Sequence, residues 1–408
     1  MNHAGDDAPE PVRLLEEAAR RAASDTGAPG LMRSLGSVRV VNILSWRYRN
    51  PAALIAERLG RAGCHTVYST PGGNAPQLLV SRAARDIQAG DADTVLVGGA
   101  ESWRTRMAYR ARGERPSWTR QSDDAPTPEP AGSELVMVSV AEEQLGIRYP
   151  TQAYPLLENA LRAKSGRPLD AHRDHIAGLW SRFSDVATGN PYAAVPRAHT
   201  AEEIAAPGPA NRMVGLPYTK LMNANNAVNQ AAALLLTSVE RARAAGVPPE
   251  RLVFLHGAAE ADDVAHLSHR VDLASSPAIR FAGQAALGLA GVDIDEVDHL
   301  DLYSCFPSAV QIAATELGID LQRRLTVTGG LTFAGGPWNN YVTHAIASMV
   351  ATLRADPGSI GLCTANGGLL TKHAVGVYST RPPRRPFAVV RCQADVDRLP
   401  RRGLAEDA

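Results

Sequence analysis

Cysteine is scarce in this chain. Four occur in 408 residues (Cys64, Cys305, Cys363, Cys392), with no paired spacing. That count excludes a disulfide scaffold and suits a reducing, cytoplasmic setting. An excess of either charge is also missing: Lys+Arg and Asp+Glu both number 42, so no net field favours nucleic acid or an anionic membrane. The arginines crowd only toward the end, at Arg381, Arg384, Arg385, Arg391, Arg401 and Arg402, a stretch that reads as a solvated, proline-broken tail. No apolar run is long enough to span a bilayer. The opening MNHAGDDAPEP is polar and acidic, which excludes a signal peptide, and residues 1–10 are expected to be disordered. G-x-S-x-G, a Walker loop and a post-strand G-x-G-x-x-G are all absent; Gly98-Gly99-Ala100 ends a strand, but no helix is predicted after it. His172 with His175, and His266 with His269, are i,i+3 pairs without cysteine or carboxylate ligands nearby, so no metal site is predicted. His344 reads as a satisfied core group in mid-helix.

What is present centres on residues 68–102, YSTPGGNAPQLLVSRAARDIQAGDADTVLVGGAES. It reads as a strand end, a glycine turn at Pro71-Gly72-Gly73-Asn74, a helix, and a second strand. Ala75, Leu79, Ala83 and Ile87 recur at i+4 with Leu78 and Val80 beside them, and no charge appears before Arg82. A helix so apolar in its first turns is buried on every side. Gly90 supplies its C-terminal stop, and 94–97 reads as an interior strand. The helix start at Gly73-Asn74 therefore aims unpaired N–H groups out of a buried turn, a place for an anion or a polarised carbonyl.

Helices at 12–24 and 51–59 alternate with strands at 38–44 and 66–69, the signal of a parallel α/β sheet. A long Arg-, Pro- and Ser-rich excursion at 103–220 follows. A second round then repeats the order: strands at 252–255, 297–302, 325–327, 360–363 and 374–378, and helices at 277–289, 308–317 and 339–353. The last of these is free of charge until Arg354 and is entered through Gly335-Gly336-Pro337. Two half-chains of one order, each with one fully apolar helix, predict two sheets with those helices between them.

The pattern G-x-x-x-x-Q … A … I-x-x-G-D-A-D … V-x-V-G-G-x-E-S resembles the nucleophile region of the thiolase superfamily, and is closest to the sterol carrier protein X-type thiolases and the thiolase-like protein type 1 group. The resemblance covers 11–380. It implies the five-layered α-β-α-β-α fold, with an N-terminal half at 1–102 and 221–250, a C-terminal half at 251–380, a coenzyme-A-binding loop domain at 103–220, and the tail at 381–408. The family's strand ahead of the first helix, which sits mid-sheet, has no counterpart before Val12, so its neighbours are expected to carry unpaired backbone. The resemblance further implies an acyl-CoA substrate with coenzyme A as acyl carrier and no covalently bound cofactor. A homodimer through a first-half strand is implied as well, and a separate small β (OB-fold) partner where the chain lacks its own.

Carried onto this sequence, the family's reactive cysteine falls at Gly73 and its G-H-P histidine at Gly336, after Gly335. Nucleophile and activating imidazole are thus both replaced. Asn74 opens the helix, and a facing turn at Gly335-Gly336 completes a polarising pocket. Tyr303 (Tyr303-Ser304-Cys305-Phe306) stands where an Asn or His holds the water of an oxyanion hole; it either donates or shuttles a proton there, or packs its ring at a strand end. Asn366 replaces the second cysteine, Cys363 reads as inert core unless the register slips, and Cys305 as core. His373 acts as base or orients the site, or is a hydrogen-bonded structural histidine. Three functions stay open: carbon–carbon cleavage or joining on an acyl-CoA without an acyl-enzyme, acyl transfer through a displaced cysteine, and coenzyme A binding without catalysis.

Overall fold

The computed structural model describes residues 1–402. Two five-stranded sheets form the frame. In the first, β1 (Leu35–Val40) pairs in parallel with β2 (His65–Ser69) on one side and β3 (Thr94–Ser102) on the other. The short β4 (Glu129–Ala131) extends it beyond β2. A hairpin, β5 (Met213–Gly215) and β6 (Tyr218–Thr219), stands apart, and β7 (Asn229–Thr237) closes the first sheet antiparallel to β3. In the second sheet β8 (Phe254–Asp262), β9 (His299–Asp301), β10 (Ile360–Gly367), β11 (Lys372–Ser379) and β12 (Val389–Arg391) lie in the order β12-β8-β11-β10-β9.

Helices Pro11–Asp25 and Pro51–Arg58 cover the outer face of the first sheet, where Val12, Leu15 and Ile55 pack on Val38, Val40 and Leu96. Helices Ala75–Ala89 and Tyr341–Ala355 lie between the sheets and touch strands of both. Every residue from Ala75 to Ser81 is buried, as a helix with no charge in its first turns requires. Gly90 ends it in the left-handed region, φ 83°. Helix Pro277–Ala290 covers the far face of the second sheet, packed beside helix Pro307–Leu317. The result is the five-layered α-β-α-β-α arrangement that the resemblance implies.

Several elements depart from expectation for readable reasons. β1 ends at Val40 because the next N–H groups leave the ladder: those of Asn42, Ile43, Leu44 and Ser45 go to Ser69, Tyr68 and Glu101. No gap opens in the first sheet, since β1 pairs with β2 and β3 directly. Residues 325–327 form no strand; Thr326, Val327 and Thr328 instead wrap the buried carboxylate of Asp301. β8 runs well past 255 because its small, alanine-rich end fits between β11 and β12. A helix does follow Gly98-Gly99-Ala100, at Trp103–Ala111. The N-terminal residues are ordered, with Asn2 bridged to Gln230 and the Met1 ammonium 2.7 Å from the Ala231 carbonyl. The tail is also partly packed, through β12 and the helix Gln393–Asp397; its residues 403–408 lie outside the described ones. Finally, the outer edge of β2 is covered by β4 of the same chain, with Val67 opposite Glu129 and Ser69 opposite Ala131.

Candidate functional site

The glycine turn sits at the carboxyl end of β2, where parallel strands of this kind place ligands. Gly72 adopts φ 148°, a conformation that side chains resist, and its N–H donates to Asn339 Oδ1 at 2.9 Å. The N–H groups of Gly73 and Asn74 meet no acceptor among the described residues. Gly367 approaches the turn so closely that a Cβ there would lie 2.5 Å from Asn74 Oδ1 and 3.2 Å from Gly72 Cα. That contact accounts for the glycine of the Asn366-Gly367-Gly368 motif.

A Cβ on Gly73 would lie 2.4 Å from the Tyr303 hydroxyl and 2.4 Å from the Asn366 carbonyl oxygen. Gly73, Tyr303 and Asn366 therefore converge on one point. Tyr303 is held by its N–H on Thr364 Oγ1 (2.8 Å) and by edge-on packing against Tyr341, while its hydroxyl donates to no group among the described residues. Burial first, and the neighbouring Cys305 second, push its pKa far above the ordinary phenol range. Burial thus favours Tyr303 as a hydrogen-bond donor over a proton shuttle.

Asn366, 5% exposed, donates to the Tyr154 hydroxyl at 2.9 Å and leaves Oδ1 buried without a partner among the described residues. Tyr154 also takes the Leu370 N–H (3.1 Å), and its ring stacks on Phe306 at 4.3 Å. Tyr154 was legible only as part of the excursion. Its tyrosine-on-asparagine role needed the fold to bring residues 212 apart in sequence together. Cys305 lies 3.8 Å from the Asn366 amide, and burial pushes its thiol up to about 12. Cys363 is fully buried on β10, and burial together with the Asp301 carboxylate raises its thiol well above the ordinary value. Both sulfurs are held as protonated thiols.

His373 is buried on β11 with Nε2 3.2 Å from Ser276 Oγ, which in turn donates to Asp263 Oδ2 at 2.7 Å. Burial lowers its pKa, so it stays neutral. Tyr303, Asn366 and His373 share a small cavity of about 10 Å³. That is about the least space that admits a single water.

Gly335 and Gly336 do not face Gly73 directly. A Cβ on Gly335 would lie 2.5 Å from Gln230 Oε1, and the Gly336 N–H is taken by the Asn225 carbonyl at 2.9 Å. The expected second set of polarising N–H groups is thus partly spent. The loop reaches the glycine turn itself through Asn339. Among the other histidines, His344 is not satisfied: its Nε2 is buried without a partner among the described residues. His172 is buried against Glu158 at 2.6 Å, which the sequence did not show. No cluster able to hold a metal ion occurs among the described residues, and no helix there is long and apolar enough to cross a membrane.

No protein-family model matches this chain. Among curated proteins it is similar to acetyl-CoA acetyltransferase of Methanocaldococcus jannaschii, 23% identical over 309 residues, which span 75% of this chain and 70% of that one. Among solved structures it is similar to a monomeric SCP2-thiolase-like protein type 1 from Mycobacterium smegmatis. The TM-score is 0.82 at 34% identity, covering 98% of this chain and 80% of that one. The Ltp2-ChsH2(DUF35) aldolase shares the fold, with a TM-score of 0.68 at 20% identity over 92% of this chain and 95% of that one.

Proposed function

Because this chain belongs to the SCP2-thiolase-like family, we propose that it acts on acyl-CoA thioesters, making or breaking a carbon–carbon bond without a cysteine acyl-enzyme. The observation that carries this reading is the contact at Gly73. The space a nucleophilic side chain would need is filled by the Tyr303 hydroxyl and the Asn366 carbonyl, and both nearby thiols are held protonated. What remains is a donor set, the Gly73 and Asn74 N–H groups with the Tyr303 O–H, suited to stabilising an enolate or alkoxide as charge develops on it. In a retro-aldol step the β-hydroxyl loses its proton, the Cα–Cβ bond breaks to leave an aldehyde or ketone, and the thioester enolate takes a proton at Cα.

The same observations weigh against acyl transfer through a displaced cysteine. Binding without turnover has one observation in its favour, the small cavity of about 10 Å³, which a substrate would have to widen. Residues 103–220 serve in our reading as the cover over the site, through Tyr154. A small separate partner of the kind named with the aldolase neighbour fits the same reading.

The test is a panel of β-hydroxyacyl-CoA thioesters analysed for chain-shortened CoA product, with intact-protein mass spectrometry for a trapped acyl group. We expect product and no acyl adduct. Tyr303→Phe should lower kcat by roughly 10²-fold and leave CoA affinity unchanged. Tight CoA binding with no turnover by either protein supports the binding subunit, and an acyl group on any cysteine refutes the proposal.

A further inference from the structure

The loop that follows Gly335-Gly336-Pro337 is bent by an unusual residue. Trp338 has φ 49°, the left-handed region that bulky side chains avoid, and its indole packs on Trp103 with ring centroids 4.7 Å apart. The bend delivers two consecutive asparagines into the first half of the molecule. Asn340 Nδ2 donates to the Gly99 carbonyl at 2.7 Å, while its Oδ1 accepts from the Thr343 hydroxyl. Asn339 Oδ1 accepts the Gly72 N–H, and its Nδ2 donates to the backbone carbonyl of Asn42 at 3.1 Å and to Asn42 Oδ1 at 3.3 Å. Both partners on the Asn42 side are acceptors in this arrangement, and the backbone carbonyl can be nothing else. The orientation of the Asn339 amide is therefore determined: nitrogen toward Asn42, oxygen toward Gly72.

Asn42 is itself rigidly placed. Five consecutive backbone N–H groups, from Val41 to Ser45, find acceptors on neighbouring strands: the Gly98 carbonyl, Ser69 Oγ, the Tyr68 hydroxyl and the two carboxylate oxygens of Glu101. A fixed loop thus holds an amide, and the amide holds one N–H of the glycine turn. With the Gly72 N–H consumed, the first N–H that the turn leaves without an acceptor is that of Gly73, the residue that meets Tyr303.

We propose that Asn339 is a positioning residue: by taking the Gly72 N–H and being aligned by Asn42, it sets the turn so that Gly73 presents its N–H to the substrate carbonyl. This rests on the acyl-CoA reading for its consequence in catalysis, but not for the clamp itself. The segment that brings the family's histidine motif here brings a hydrogen-bonding brace instead.

The test uses the full chain with three single substitutions. Asn339→Ala removes the acceptor. Asn339→Asp keeps an acceptor for Gly72. Asn42→Ala keeps the backbone carbonyl that aligns Asn339. Hydrogen–deuterium exchange of the 70–75 segment should speed up about tenfold in Asn339→Ala and stay within about twofold of the parent in Asn42→Ala. On any acyl-CoA that the parent turns over, Asn339→Ala should lose about tenfold or more in kcat with KM little changed, and Asn339→Asp, whose second oxygen meets the Asn42 carbonyl where Nδ2 donated, should recover little of it. Unchanged exchange in Asn339→Ala overturns the clamp. So does a kcat loss in Asn339→Ala that Asn42→Ala matches, because a merely structural contact would behave that way, or a full recovery by Asn339→Asp, because alignment by the donor to Asn42 would then be unnecessary. If exchange responds as stated but the parent turns over no acyl-CoA, the clamp stands and the proposed activity falls.

Discussion

Replacing Gly73 by alanine adds one carbon at the most crowded point of the site. Its two nearest neighbours would both lie 2.4 Å away, about an ångström short of ordinary contact. Neither yields readily. The Asn366 carbonyl belongs to β10, where β11 pairs Asn366 with His373, and Tyr303 is a buried ring with its Cζ only 2.9 Å from the added carbon. Overpacking of this kind costs roughly 1–3 kcal/mol. For a chain of this length that corresponds to a fall of roughly 1–4 °C in Tm. The contributions separate in a double-mutant cycle. Tyr303→Phe removes the hydroxyl contact but keeps the carbonyl one, so Gly73→Ala should be milder in the Tyr303→Phe background by about 1 kcal/mol, and not neutral. Urea unfolding of the four proteins measures both quantities. Gly73→Cys should likewise be destabilised and should take no acyl group from acetyl-CoA. An alanine variant within about 0.5 kcal/mol of the parent, or a cysteine variant that becomes acylated, would refute the packing on which the proposed chemistry stands.

Two further outcomes follow from other parts of the fold. Glu101 is almost fully buried, and burial pushes its pKa up to about 7 from 4.5, against the opposing N–H groups of Leu44 and Ser45. The folded state therefore holds a proton that the unfolded chain releases. The resulting stabilisation, about 3 kcal/mol at most, is complete below about pH 4.5 and lost as pH rises through about 7. Melting curves across that window should slope downward with pH, and Glu101→Gln should flatten the slope; an unchanged slope excludes Glu101 as its source. Because β4 already covers the outer edge of β2, light scattering at micromolar concentration should give the mass of one 43.3 kDa chain rather than the implied homodimer, and twice that mass would overturn the reading of the edge.

Much of the architecture was readable because burial writes itself into composition. The two helices without charge in their early turns announced that they lie between sheets, and Gly90 marked where the first one stops. Elements defined by side-chain traffic were not readable. Nothing local distinguishes Asn42 to Ser45 from a continuing strand; only the acceptors on Ser69, Tyr68 and Glu101 turn those N–H groups away from the ladder. The short apolar run at 325–327 has strand composition, yet Asp301 needs its N–H and hydroxyl groups more than a neighbouring strand does. The order of residues 1–9 was hidden as well, since a backbone bridge from Asn2 to Gln230 and the Asp6–Arg104 ion pair join partners far along the chain.

At the site itself the sequence located the glycines but not what fills their missing side chains. Glycine at 73 reads as a vacancy when it is compared with a chain that carries a sulfur there. In three dimensions the space belongs to Tyr303 and to the carbonyl of Asn366, both contributed by the opposite half. That distinction changes the chemistry available. An empty pocket could be refilled by restoring one side chain, whereas a pocket closed by a tyrosine has a different donor aimed at the same point. Burial raises the pKa of that tyrosine, which favours lending a hydrogen bond to developing negative charge over abstracting a proton. Such a donor leaves the base to the substrate, to water, or to a group that enters when the cavity opens, and the buried His373 lines the same cavity.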